Sequence, residues 1–355
     1  MIVRIALDAM GGDNAPQGVV AGGVGAVVAD PELELLLVGR ASDVRRALAQ
    51  PGADLKASQR ERITIVDATE VVAMDEHPAT AVRGKKDSSI AVGARLVAEG
   101  RAGALVSAGN SGAVMAAAIF IIKRLDGVDR PAIGTALPAR NGPVLLIDAG
   151  ANADARPEHL SHFALLGEAY ARRVLGVDRP RVGLLSNGEE EGKGNELTLK
   201  AYSLLKALPL DFIGNVEGKL LLENAADVVV TDGFTGNIVL KTLEGTAAFV
   251  QDTIKAEAKK SPLGIAGGLL LKPTIGNIKA RSDWRKIGGA PLLGVKGVVI
   301  IAHGRSDAEA TSNAVLRGAE AVRLGLVQVM AEAISPSPGN MRVRHEVVAV
   351  SAQEA

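Results

Sequence analysis

One pattern recurs along the chain and limits what it can fold into. A short, mostly apolar run stops at a loop rich in Gly, Asn or Asp, and a helical stretch often follows. Ile2–Leu7 runs into Asp8-Ala9-Met10-Gly11-Gly12-Asp13, Leu33–Val38 stops at Gly39, and Ala104–Val106 runs into Ser107-Ala108-Gly109-Asn110-Ser111-Gly112. Val144–Ile147 leads into Asp148-Ala149-Gly150-Ala151-Asn152, and Val182–Leu185 into Ser186-Asn187-Gly188-Glu189. Val228–Val230 leads into Thr231-Asp232-Gly233-Phe234-Thr235-Gly236-Asn237, and Val298–Ile301 into Ala302-His303-Gly304. Continuous β-branched runs are strands buried on both faces. Strands interleaved with helices make a mainly parallel sheet covered by helices. The expected fold class is therefore α/β, an α/β/α sandwich with a mainly parallel sheet. Ligands of such sheets bind at the carboxyl ends of the strands. The polar loops are accordingly expected to converge on one side, bringing Asp8, Asn110, Asp148, Asn187, Asp232, Asn237 and His303 together.

Helices are predicted over Ser111–Lys123, Pro157–Leu175, Asn195–Leu205, Thr235–Lys260 and Asp307–Leu324. Pro157 opens its segment and Gly176 follows it, the expected asymmetry of a helix. The breaker cluster Ser335-Pro336-Ser337-Pro338-Gly339 lies in a stretch without a clear period. We expect one catalytic unit over residues 1–327 and a loosely attached tail over 328–355.

Composition excludes several classes. Hydrophobic residues make up 47% of the 355 but aromatic residues only 2%, so the core is built from Ala, Val, Leu and Ile. The formal net charge is zero, which argues against a duplex nucleic-acid partner. No cysteine is present, so disulfides, thiolate metal sites and a Cys nucleophile are out. No leader and no apolar stretch of about 18 residues is evident, so the expected location is the cytoplasm.

The region 246–286 stands apart. A helical stretch ends in Lys259-Lys260, and Pro262-Leu263-Gly264-Ile265-Ala266-Gly267-Gly268-Leu269-Leu270-Leu271 follows. Between Lys255 and Lys286 eight Lys or Arg face two acids, Glu257 and Asp283. This reads as a helical hairpin with an apolar tip and basic stems. Lys259, Lys260, Lys272, Lys279 and Arg281, with Leu269, Leu270 and Leu271, are its candidate contact residues. An acidic protein, an anionic lipid surface and a second subunit are the three partners such a hairpin fits.

The candidate chemistry lies in the loops. Gly188-Glu189-Glu190-Glu191-Gly192-Lys193-Gly194 fails the Walker pattern, so an ATPase is rejected. Lys193 between two slim neighbours either meets a phosphate or belongs to a surface turn. The loop Asp232-Gly233-Phe234-Thr235-Gly236-Asn237 opens a helix, where backbone amides bind anions; the alternative is that Thr235 or Asn237 simply caps it. Asn110 and Ser111 follow the same logic, and Ser111 lacks the Gly-x-Ser-x-Gly frame of a nucleophile. His303 is a general acid or base, or a histidine held by backbone. Asp8, Asp13, Asp148 and Asp232 show no metal-ligand spacing, and no metal is expected. Arg83, Lys85 and Lys86 are an anion-binding cluster or a solvated charge run. No Gly-x-Gly-x-x-Gly occurs, which argues against a dinucleotide.

Taken in order, these blocks carry a resemblance. Asp8-Ala9-Met10-Gly11-Gly12-Asp13, the run from Ala81-Val82-Arg83 to Lys85-Lys86-Asp87-Ser88-Ser89, and Ser107-Ala108-Gly109-Asn110 come first. Asp148-Ala149-Gly150-Ala151-Asn152-Ala153-Asp154, Gly192-Lys193-Gly194-Asn195-Glu196, Asp227 to Asn237 and Ala302-His303-Gly304 follow. Over about residues 1–327 this set resembles the bacterial phosphate acyltransferase family, which acts on acyl-acyl carrier protein in phospholipid synthesis. The sequence departs from the family's usual pattern at Ser186-Asn187-Gly188-Glu189 and at Arg305.

The resemblance implies a fold similar to isopropylmalate dehydrogenases and phosphotransacetylases, a homodimer, and no cofactor. It implies that Lys193 and Asn237 are catalytic. Asp8, Gly11, Gly12, Asn110, Ser111, Asp232, Gly233, Thr235, Gly236 and His303 remain candidates for binding substrate or phosphate. It also implies peripheral membrane contact through a hairpin matching Ala258–Lys279, and a glycerol-3-phosphate acyltransferase downstream. The implied reaction is attack of inorganic phosphate on the thioester of acyl-[acyl carrier protein], giving acyl phosphate. The alternatives are a phosphotransacetylase using acyl-coenzyme A, a nicotinamide-dependent decarboxylating dehydrogenase, and a non-catalytic lipid-surface protein.

Overall fold

The computed structural model describes residues 1–281 and 284–335, with the side chains of residues 269, 275, 277–281 and 284 outside that description. The chain runs β1 (Val3–Asp8), α1 (Gln17–Ala29), β2 (Leu33–Gly39), α2 (Ala41–Leu48), α3 (Ala57–Arg60), β3 (Ile63–Asp67), α4 (Pro78–Gly84), α5 (Ser89–Ala98), β4 (Ala104–Ser107) and α6 (Ser111–Ala117). A π-helical turn, Ala118–Ile122, continues α6. Then come β5 (Ala132–Ala139), β6 (Gly142–Ile147), α7 (Pro157–Arg173), β7 (Arg181–Ser186), α8 (Glu196–Lys206), β8 (Asp211–Glu217) and β9 (Val228–Val230). The long helices α9 (Gly233–Ala258) and α10 (Pro262–Arg281) precede β10 (Ala290–Leu293), β11 (Val298–Ile301), α11 (Ala308–Arg323) and α12 (Leu326–Ile334).

Every apolar run that stops at a polar loop forms a strand, and all of them join one sheet of order β3-β2-β1-β4-β11-β10-β5-β6-β9-β7-β8. Alternate residues face opposite layers, as the period of a strand requires. Ile5 and Leu7 of β1 lie under α1 and α11, whereas Ala6 between them lies under α5. In β6, Leu145 and Ile147 pack with α7, while Val144 and Leu146 face Val239, Leu240 and Leu243 of α9. The α/β/α sandwich is thus built from both faces of each central strand, and aliphatic side chains fill it.

The sheet is not parallel throughout. β10 pairs antiparallel with β11 and with β5, and β5 pairs antiparallel with β6. The half made of β3, β2, β1, β4 and β11 therefore runs opposite to the half made of β6, β9, β7 and β8. Pro291 faces Ile300, Leu292 faces Ile133, and Gly134 faces Ile147. Ile147, the last residue of β6, consequently sits on nearly the same rung as Ile300 of β11. The two halves point their carboxyl ends at each other across β10 and β5. The loops therefore form two groups that oppose each other at this level, and do not share one side of the sheet as expected.

Two further expectations change. The tail was placed after residue 327, but α12 buries Leu326, Met330 and Ile334 and packs on α7. Residues 328–334 belong to the packed body because this apolar stripe completes the cover of that layer. Residues 336–355 lie outside the described residues. The hairpin turns at Lys259-Lys260-Ser261, so its tip is basic and the apolar run forms the first half of α10. Ser261 Oγ accepts the Gly264 N–H at 3.0 Å and Pro262 opens the helix, which starts α10 before the apolar run.

Candidate active site

The first group of loops is held by a buried carboxylate. Asp8 is fully buried at the end of β1 and accepts the Ser107 hydroxyl at 2.6 Å and the Met10 amide at 3.1 Å. Ser107 Oγ in turn accepts the Gly109 amide at 3.1 Å. Burial pushes the Asp8 carboxyl above its ordinary range, against the hydrogen bonds from Ser107, Ser89, Met10 and Gly11. A Cβ on Gly11 would lie 2.5 Å from Asp8 Oδ2 and 2.6 Å from the Gly109 nitrogen, so no other residue fits there. Gly12 has φ +96° and meets the Gly304 carbonyl, while the Asp13 amide donates to that same carbonyl at 2.7 Å. Asp8, Gly11 and Gly12 thus weld the β1, β4 and β11 loops together.

Asn110 is likewise occupied. Its Oδ1 accepts the Ala113 amide at 3.0 Å and so caps α6, and its Nδ2 donates to the carbonyls of Ala73, Met74 and Glu76 at 3.0–3.2 Å. Ser111 is exposed beside it. Of the Arg83, Lys85 and Lys86 run, Lys85 bonds Glu76 and the Val71 carbonyl, and Arg83 stacks 5.0 Å from the Phe120 ring centre.

The second group repeats the device. Asp148, fully buried after β6, accepts the amides of Ile133, Gly150, Ala151 and Asn152 and the Asn152 side chain, all within 3.1 Å. Burial raises its carboxyl despite these bonds. Asp8 and Asp148 therefore sit in separate groups, each saturated by its own loop, which suits neither for a shared metal.

The start of α9 is largely satisfied from within. Asp232 is its cap and accepts the Thr235 amide at 2.8 Å and the Thr235 hydroxyl at 2.7 Å. The Gly233 amide donates to Asn152 and the Gly236 amide to the Asp232 carbonyl. Neither Thr235 nor Asn237 caps the helix, and with the Asp232 carboxylate present this terminus is a poor anion site. Asn237 is different: it is exposed, and its side chain lies 3.6–3.8 Å from where a Cβ on Gly150 would be.

Lys193 lies on the loop after β7, beside the β6 and β9 loops, because Ile147, Val230 and Leu184 share a rung. Its side chain crosses Gly188, where a Cβ would come 2.8 Å from Lys193 Cγ. Gly194 has φ +122° and no room for a side chain beside Thr198. Lys193 is exposed, and among the described residues its ammonium has no acidic partner. Of the two flanking glycines only Gly194 serves backbone shape, since Gly192 has open space around it, and the charge is left facing out.

A family model described as "Fatty acid synthesis protein" matches residues 3–329. The chain is 50% identical over 342 residues to a phosphate acyltransferase of Anaeromyxobacter sp. (strain K), covering 96% of this chain and 93% of that protein. It is 49% identical over 332 residues to a phosphate acyltransferase of Heliobacterium modesticaldum, covering 94% and 98%. The chain belongs to the phosphate acyltransferase family. Among solved structures, the EutD phosphotransacetylase from Staphylococcus aureus superposes with a TM-score of 0.56 at 16% identity, covering 90% of this chain and 94% of that one. A phosphotransacetylase from Streptococcus pyogenes gives 0.55 at 19% identity, covering 94% of each. These establish the fold expected above.

In this phosphate acyltransferase α9 links the two groups of loops. It leaves the β9 loop carrying Asn237 on its second turn, and one and two turns beyond Asn237 Lys241 and Glu244, paired at 2.9 Å, act electrostatically on His303 of the opposing group. Desolvation, then the charges of Arg305 and Lys241, hold the His303 imidazole below its ordinary range. Sequence reasoning quoted Ser107 and Asn152 within their loop motifs but gave them no role, and it passed over Lys241 and Glu244, which carry no local signal inside a helical stretch.

The remainder of α9 and α10 of this acyltransferase is exposed. Phe249, Ile254, Leu263, Ile265, Leu270 and Leu271 face outward, as do Lys259, Lys260 and Lys272. The side chains of Leu269, Lys279 and Arg281 lie outside the described residues. No helix among the described residues is long and apolar enough to cross a membrane.

Proposed function

We propose that this phosphate acyltransferase moves a fatty acyl group from acyl carrier protein onto inorganic phosphate, for phospholipid synthesis. A phosphate oxygen attacks the thioester carbonyl, the carbon–sulfur bond breaks, and the carrier's thiol leaves with acyl phosphate as the other product. The observation that carries this reading is the exposed Lys193 on a glycine-shaped loop, beside the loop that offers the Asn237 carboxamide. A cation there holds phosphate close to the carbonyl and lowers its charge. The carboxamide donates to the oxyanion that develops on the carbonyl. A thiol with an ordinary pKa of about 8.5 leaves with little acid help, so no enzyme nucleophile is required. Ser111 and His303 belong to the opposing group and face the acyl donor across the site.

The catalytic unit acts as a homodimer, and the α9–α10 hairpin makes peripheral contact with the inner face of the membrane. The acyl phosphate is itself a lipid, and a glycerol-3-phosphate acyltransferase consumes it. The test is to incubate the protein with inorganic phosphate and either long-chain acyl-acyl carrier protein or acyl-coenzyme A, and to measure acyl phosphate. Lys193→Met and Asn237→Ala should each lower kcat/KM at least about 100-fold, the scale of losing a transition-state contact. Product from the coenzyme A donor alone would make the protein a phosphotransacetylase instead.

A further inference from the structure

We propose that Asn215 is a positioning residue that fixes the loop carrying Lys193, an inference that rests on the role given to Lys193 above. Asn215 lies on β8, next to β7, and is 7% exposed. Its Nδ2 donates to the Glu190 carbonyl at 2.8 Å and reaches the Lys193 carbonyl at 3.5 Å. One carboxamide therefore grips both ends of the tetrapeptide 190–193, which the Lys193 amide closes onto the Glu190 carbonyl at 3.0 Å. All four residues face water, and the exposed Glu191–Lys206 pair at 3.2 Å is a weak tie by comparison, so the grip of Asn215 is what separates this stretch from an ordinary mobile surface turn.

Two further atoms mark the spot. Asn215 Oδ1 is buried and has no hydrogen-bond partner among the described residues, and the same holds for Ser186 Oγ at the root of the loop. A buried acceptor left unpaired weakens the fold, so Asn215 is a poor choice for stability alone. It makes sense as a donor aimed at two carbonyls of a loop that must keep one shape. Lys193 then projects from a backbone pinned at its own carbonyl, with Cβ and Cγ laid over Gly188. A preorganised ammonium needs its supporting shell to hold it within a fraction of an ångström.

The test uses the full chain. Asn215→Asp keeps the shape but turns the donor into an acceptor facing two carbonyls, and Asn215→Ser removes the reach. Both should lower kcat about 10- to 100-fold, the effect of a misplacement near 1 Å, and raise the KM for phosphate while leaving the KM of the acyl donor unchanged. Amide hydrogen exchange should quicken at least tenfold over residues 190–194 and stay at parental rates elsewhere. If Asn215→Asp does not fold, Asn215→Ser carries the comparison. Parental turnover, or unchanged exchange in that loop, overturns the proposal. Lys193→Met, run alongside, separates the two ideas: if it is fully active the role of the lysine fails, whereas if it is dead and the Asn215 variants are active only the positioning role fails.

Discussion

A Cβ placed on Gly236 would lie 1.9 Å from the carbonyl oxygen of Asp148. The second residue group depends on this contact, because it sets α9 directly against the loop whose amides Asp148 gathers. It also sets Asn237 against Gly150.

Gly236→Ala should therefore be costly. The helix must move away from a backbone atom that cannot yield, and overpacking of this kind costs about 1–3 kcal/mol or more. Activity should fall with stability, since Asn237 moves with the helix. Gly245 on the same helix has open space around it. Gly245→Ala should raise stability by about 0.5–1 kcal/mol with kcat unchanged. Chemical denaturation of both variants decides it, and equal behaviour would remove the special standing of Gly236.

Asn110 gives the opposite separation of stability from function. Asn110→Ala deletes a helix cap, worth about 1 kcal/mol. It also deletes the donor to three carbonyls of the 73–76 segment, where an orphaned buried group costs about 1–3 kcal/mol. The melting midpoint should drop by several degrees while the KM for phosphate stays within about twofold. A selective rise in that KM would return Asn110 to the list of phosphate ligands.

Acid stability should depend on Asp227. Burial works to raise this carboxyl, but hydrogen bonds from the Arg181 guanidinium and amide, with the guanidinium charge, outweigh it and hold the carboxyl below its ordinary range. A carboxyl depressed in the folded state binds fewer protons there than in the unfolded chain. Its stabilisation is complete above the unfolded value of about 4 and is lost as pH falls through the folded value. Asp227→Asn should thus lie furthest below the parent at neutral pH and approach it below about pH 4. Asp8 and Asp148 have the reverse sign: burial raises them, so their ionisation weakens the fold as pH rises from about 4. Parallel melting curves against pH for Asp227→Asn and parent would refute the assignment.

Seven of the strands were legible because their apolar runs end at loops of Gly, Asn or Asp; β3 and β8, whose runs were not read as strands, were not. Nor was what reverses the sheet. β10 is Ala290-Pro291-Leu292-Leu293, short and without a β-branched residue, and β5 is broken by Gly134 and Pro138. Without these two antiparallel strands the loops look as if they share one side. Glycine motifs were readable as motifs but not as to purpose. Gly11, Gly233 and Gly236 are small because backbone or buried carboxylate lies against them, which needs the fold to be seen. Asn110 reaches carbonyls 34–37 residues away, and no local pattern announces that. The hairpin turn had its signal: Ser261 before Pro262 is a cap followed by a first-turn proline, and it outranks the apolar run that follows.

That turn shapes the last prediction. Leu263 and Leu270 are 83% and 82% exposed on α10, with Lys259, Lys260 and Lys272 nearby in sequence. Burying each leucine in an interface contributes about 1.5–3 kcal/mol, and each lysine near an anionic surface about 1 kcal/mol. The leucines and lysines together suffice for reversible attachment of a protein that has no spanning helix among its described residues. Leu263→Asp with Leu270→Asp should cut co-sedimentation with vesicles containing anionic lipid at least tenfold, and 0.5 M salt should weaken the parent's binding through screening. Turnover with soluble acyl-acyl carrier protein should stay within about twofold, because the loops carrying Lys193 and Asn237 are untouched. Loss of turnover with the carrier donor but not with acyl-coenzyme A would assign the hairpin to the carrier protein. A shift to monomer on gel filtration would assign it to the second subunit.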